Sequence, residues 1–190
     1  MLEPSSIITA FIALFIVMDP FSSVAVFITL TKKYAPQQRR DAATVAGLVA
    51  AGVLMGFLLL GPLALSFMGI RFESFEIAGG ILMLVISLSF ALGMDFGKKG
   101  DTPIEAVIIG VPLLSGPGTM LTAILLSTTL GTETVIVAGL AACFASYLIL
   151  LASSAIHRII GRNGLEILSR VTGVLLAAFA VEYIRKGLGM

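Results

Sequence analysis

Long, continuous apolar runs separated by short polar joins make up almost the whole chain. A hydrocarbon core about 30 Å thick is crossed by about 20 apolar residues in a helix. Six runs meet that length: Pro4 to Leu30, Ala42 to Met68, Phe75 to Met94, Pro103 to Leu130, Thr134 to Ile156 and Ile167 to Ile184. The pattern predicts an all-α integral membrane fold with six transmembrane helices. A bacterial-type β-barrel would instead show alternating segments of about 10 residues. The first run is expected to be a retained span and not a signal peptide. No Lys or Arg precedes it, it outlasts the usual signal core, and no small-residue cleavage site follows.

The joins carry helix-start chemistry. Thr102-Pro103-Ile104-Glu105 has the form of a capping box with Pro at the first helical position, and Asn163-Gly164-Leu165-Glu166 repeats the cap-to-Glu spacing. Composition agrees with a bilayer as the solvent. Of the 190 residues 58% are hydrophobic and 12% charged, with a mean hydropathy of +1.08, too apolar for an ordinary soluble domain.

Charge and rare residues narrow the function classes. The net charge is +1 and the 12 Lys and Arg sit in short clusters, so no basic face for nucleic acid can be assembled. One Cys and one His provide neither a disulfide framework nor a Cys/His metal site. Neither a metal nor a cofactor is expected. An enzyme is not expected either, since no Gly-x-Ser-x-Gly or His/Glu cluster appears.

Counting Lys and Arg by join gives a sidedness. Lys32, Lys33, Arg39, Arg40, Lys98, Lys99, Arg158, Arg162 and Arg170 belong to the odd joins, against Arg71, Arg185 and Lys186 on the other side. This imbalance predicts a multi-pass protein of the inner or plasma membrane with the odd joins cytoplasmic and both termini outside.

Two runs contain their own breakers. The first is interrupted at Asp19-Pro20 and the fourth at "VPLLSGPGTML", with Pro112, Gly116, Pro117 and Gly118. A shift of 97 residues lays Pro20 on Pro117, Ser22 on Thr119 and Thr31 on Thr128. Three spans per half is an odd number, so the second half must run in the opposite sense. The expectation is a single transmembrane domain over 1–190, built from one three-helix repeat at 1–95 and its inverted partner at 102–190.

Matched interrupted segments point to a transporter's binding site. Backbone groups freed at a break must be buried in protein or line a cavity. Asp19 as N-cap with Pro20 first in the helix starts one half-helix; Pro117 starts the other. Two such positive ends near the midplane would receive a carboxylate. Asp19 would then take the substrate ammonium or a coupling proton, or serve only as a cap. The residues assigned to the pocket are Asp19, Pro20, Phe21, Ser22, Ser23, Ser115, Gly116, Pro117, Gly118 and Thr119. Gly52 and Gly56 are read as a close-packing face, and Cys143 as core. Thr29, Thr31, Ser127 and Thr128 can return hydrogen bonds to their own helices.

"MDPFSSVAVFITLT" and "VPLLSGPGTML", inside a six-span chain, resemble the MarC family of membrane proteins across essentially the whole length. The first motif departs from the family's usual Asp-Pro-x-Gly-Asn followed by Pro, with Ser22, Ser23 and Ala25 in those places. The resemblance implies a six-helix inverted repeat and proton-linked uptake of glycine or alanine-like substrates, as in SnatA-like members. Coupling to Na⁺ around Leu114 and Ser115 is the alternative ion. Export of related small metabolites, or a passive channel or facilitator, is the alternative function.

Overall fold

A computed structural model describes residues 3–92 and 114–190, which form seven helices. The capping box at Thr102 to Glu105, Pro112, and the first part of the fourth predicted span lie outside the described residues. The first span is two helices, α1 (Pro4–Met18) and α2 (Pro20–Leu30), meeting at Asp19. Next come α3 (Pro36–Phe67) and α4 (Phe72–Leu92). After the undescribed stretch follow α5 (Pro117–Leu130), α6 (Thr132–Leu151) and α7 (Ser153–Gly187).

Five described segments are long and apolar enough to cross a bilayer, with α1 and α2 counted together across their break; α5 is a shorter apolar helix. All the described regular structure is helical. Helix ends differ from the sequence expectation where hydropathy is blind to backbone chemistry. The polar stretch from Pro36 to Asp41 is already helical in α3, because Pro36 is pre-organised for a first position, Gln38 Oε1 accepts the Ala35 N–H at 2.9 Å, and Gln37 reaches Asp41 at 3.1 Å. The fifth span stops at Leu151, where Ala152 separates α6 from α7 although the apolar run continues to Ile156. Within α7 the backbone turns at Gly161 (φ 71°, ψ 175°), two residues before the predicted cap at Asn163.

Two antiparallel pairs frame the bundle. In α3 and α6, Thr44 and Gly47 lie against Tyr147, while Gly139 meets Leu54 and Met55. Buried Ala42, Ala43, Ala46 and Ala50 face buried Ala138, Ala142 and Cys143 in the same core, so small side chains bring these helices close. In α4 and α7, Gly80 lies against Ala180 and Ile184, Gly173 against Ser87 and Phe90, and Gly187 against Glu73 and Glu76. A Cβ at Gly173 would stand 2.6 Å from the Ala91 backbone nitrogen, which only a missing side chain allows.

Among the described residues, Gly52 and Gly56 have no such part: nothing described lies within 4 Å of a Cβ added to either, and the close approaches of α3 seen there are at Gly47 and Gly61. A small-residue spacing identifies a helix face but not whether another helix covers it.

The half-helices fill the space between the pairs: α2 packs on α6 and α7, and α5 on α3 and α4. A second core of Val17, Met83, Leu121, Leu125, Leu176, Ala180 and Tyr183 joins α1, α4, α5 and α7, with the Tyr183 hydroxyl donating to Thr122 at 2.8 Å. Exposed side chains such as Leu48, Leu60, Leu63, Val85, Phe144 and Val174 are apolar. That outward arrangement suits lipid, which penalises no exposed hydrocarbon.

Candidate functional site at the helix breaks

Asp19 is the hinge of the first break. Its backbone is left-handed (φ 39°, ψ 66°), and it is the one non-glycine with positive φ among the described residues. Aspartate tolerates that conformation better than most residues because its short polar side chain bonds locally. Its own N–H closes α1 on the Ile16 carbonyl at 3.2 Å. Pro20 has no N–H with which to continue that ladder, so a new helix must begin.

The Asp19 side chain is engaged chiefly by Ser22, with Thr172 of α7 also in its reach. Oδ1 accepts the Ser22 N–H at 3.3 Å, and Oδ2 accepts the Ser22 hydroxyl. Ser23 Oγ donates to the Asp19 carbonyl oxygen at 3.1 Å. The carboxylate thus caps α2, and the positive end of the first half-helix is already matched by a negative group of the chain itself.

The second break is built differently. Gly116 precedes α5 with extended backbone, and among the described residues no side chain caps that helix. Ser115 Oγ instead donates across to the Ala50 carbonyl of α3 at 2.7 Å, and Thr119 Oγ1 to the Leu114 carbonyl at 3.2 Å. The end without a side-chain cap among the described residues is therefore that of α5. Asp19, Ser22, Ser23, Ser115 and Thr119 are all buried.

The two breaks are neighbours in space. A Cβ placed on Gly118 would lie 3.3 Å from Val17 Cγ1, two residues before Asp19, and 2.7 Å from Met83 Cε. Glycine at this position lets α5 begin directly against the end of α1. Residues about a hundred positions apart in the chain are thereby brought to one buried place.

Sequence reasoning missed the contribution of α7. Ser169 pairs with the Ser22 hydroxyl at 2.7 Å, and Thr172 stands one turn further along the same helix face. The only signal was two hydroxyls three residues apart in an apolar run, and such groups usually bond their own helix. Thr172 does so, to Leu168 at 3.1 Å, as do Thr31, Ser127 and Thr128. Glu76 and Arg170 sit at opposite ends of the α4–α7 pair. Arg170 is spent on exposed Glu166 at 2.6 Å, whereas Glu76 is buried beside Gly187.

A family model described as MarC family integral membrane protein matches residues 4–190. A UPF0056 membrane protein of Methanocaldococcus jannaschii is 37% identical, with 95% of each chain covered. One from Aquifex aeolicus is 33% identical over 95% of this chain and 91% of its own. The UPF0056 inner membrane protein YhgN of Escherichia coli is 29% identical over 98% of both. No solved structure matches.

Proposed function

Since the chain belongs to the MarC family of integral membrane proteins, we propose that it is a secondary transporter of small neutral amino acids, glycine or alanine in kind, driven inward by protons. The observation that carries this reading is the meeting of the two helix breaks, Val17–Asp19 against Gly118, in a buried polar setting. Irregular backbone inside a membrane protein is tolerated where it is buried or lines a transport path.

An inverted repeat is supported by the packing. Exchanging the halves turns α3–α6 and α4–α7 into themselves, α2–α7 into α5–α4, and α2–α6 into α5–α3, and each of these pairs is in contact. Arg39 at the start of α3 reaches Ser154 at the start of α7 at 2.7 Å, so the first and fifth joins share one end of the bundle. The start of α4 and the end of α7 share another join region, through Glu73 and Gly187. This grouping accords with basic odd joins in the cytoplasm and termini outside.

In the proposed cycle the N-terminus of α5, at Gly118 and Thr119, receives the substrate carboxylate. The substrate ammonium or a coupling proton goes to Asp19. Either event weakens the Asp19–Ser22 cap, and with it the tie from Ser22 to Ser169 on α7. Binding at one break is thus linked to release of a helix from the opposite half, as alternating access requires. No catalytic step and no cofactor enter the scheme.

The test is uptake of labelled glycine and alanine into proteoliposomes, with and without an inward proton gradient, alongside exchange against unlabelled internal amino acid. Accumulation that follows the gradient supports coupled uptake. Exchange without accumulation would replace it by facilitated passage, and folded protein with neither would remove the amino-acid assignment.

A further inference from the structure

Away from the helix breaks, at the end of the bundle where α2, α3, α6 and α7 converge, a cavity of about 240 Å³ is lined by Tyr34, Pro36, Arg39, Arg40, Leu150 and Ser154 among others. We infer that it is a binding site for a phosphate group, such as an anionic lipid headgroup or free phosphate presents.

Arg39 is held in place from two sides. Nη1 donates to Ser154 Oγ at 2.7 Å and Nη2 to the Thr31 carbonyl at 3.0 Å. Its Nε is buried and has no partner among the described residues. A guanidinium is always charged, and a buried donor left unsatisfied is costly. Yet both Arg39 and Arg40 lack an acidic partner among the described residues. The acid next in sequence, Asp41, is engaged by Gln37 at 3.1 Å.

Two positive charges without a carboxylate partner among the described residues, and a cavity beside them, favour an anion. The start of α3 at Pro36 lies in the same wall and adds the positive end of a long helix. A phosphate matches better than a simple halide, because its several oxygens can accept from two guanidinium groups at once. The flanking Leu150 and the exposed Lys32 and Lys33 suit a headgroup at the edge of a bilayer. An occupant here would join Thr31 and α3 of the first half to Ser154 of the second, and so stabilise the folded chain.

The experiment is a thermal unfolding series on the full chain in neutral detergent, titrated separately with phosphatidylglycerol, phosphatidylcholine, inorganic phosphate, and chloride at matched ionic strength. Expected is a saturable rise of the midpoint by about 2–4 °C with phosphatidylglycerol. The rise should be reduced to the phosphatidylcholine level in Arg39→Gln and in Arg40→Gln. Arg40 is exposed at the cavity wall, so that variant keeps the fold even where Arg39→Gln does not. An equal rise with inorganic phosphate would identify free phosphate as the sufficient ligand and still support the site. Equal effects of the two lipids with none from phosphate beyond chloride, or a full response in Arg40→Gln, would overturn it.

Discussion

Asp19 is asked to do two things at once, and substitution separates them. Its backbone occupies the left-handed region and its carboxylate caps α2 through the Ser22 N–H. Alanine loses both advantages. A left-handed conformation costs an ordinary L-residue about 1–2 kcal/mol, and replacing an N-cap Asp by Ala costs about 0.5–2 kcal/mol. Asp19→Ala should therefore destabilise by about 2–3 kcal/mol, lowering the unfolding midpoint by about 4–12 °C for a chain of this size. Glycine adopts positive φ freely and loses only a few tenths of a kcal/mol as a cap, so Asp19→Gly should be the more stable of the two. Asparagine keeps a capping oxygen and tolerates the left-handed region, so Asp19→Asn should unfold close to the parent. The assay is thermal unfolding of the three purified variants in one detergent. Asp19→Ala equal to or more stable than Asp19→Gly would refute the left-handed hinge. In proteoliposomes, Asp19→Asn should lose gradient-driven accumulation while remaining folded, and undiminished accumulation would confine Asp19 to capping.

Other perturbations probe the surrounding packing. Gly173→Ala sets a methyl 2.6 Å from the Ala91 backbone nitrogen and should cost about 3 kcal/mol or prevent folding. Gly52→Ala meets open space and should be neutral or stabilising by up to about 1 kcal/mol; parallel melts of the two decide whether the glycine roles are correctly divided. Ser169→Ala removes the tie to Ser22 and should cost about 1 kcal/mol. Under the proposed mechanism it should also change the rate of exchange, and an unaltered rate would exclude α7 from the gate. Gly118→Ala can be accommodated by moving the flexible end of Met83, whereas Gly118→Val also presses on Val17 and should weaken apparent substrate affinity. Equal affinity in all three proteins would put the pocket elsewhere.

Some of this was legible in the sequence for clear physical reasons. Asp-Pro in an apolar run cannot sit in a continuous helix, and the break falls between Met18 and Pro20 as that chemistry demands. Pro117 after Gly116 likewise begins α5. The hydroxyls of Thr31, Ser127 and Thr128 return to their own helices because a membrane interior provides no water to take them. What escaped depends on tertiary contacts. Ser169 looks like any helix serine until α2 is laid against it. Gly52 and Gly56 have the right spacing for a close interface but no described helix covers them, while Gly61 and Gly173 are where described neighbours arrive. The early start of α3 at Pro36 and the turn at Gly161 are set by backbone geometry, to which hydropathy is insensitive.

The meeting of the two breaks, and its opening during transport, can be tested in a single protein. Cysteines replacing Val17 and Gly118 in a Cys143→Ala background would be joined by a short, reducible bifunctional thiol reagent, and glycine uptake followed before and after reduction. The expected result is an intramolecular link that stops uptake, with recovery when the link is reduced. Failure to link in folded protein would contradict the proximity of Val17 and Gly118, and linked protein that transports at the full rate would contradict a site that opens between the two half-helices.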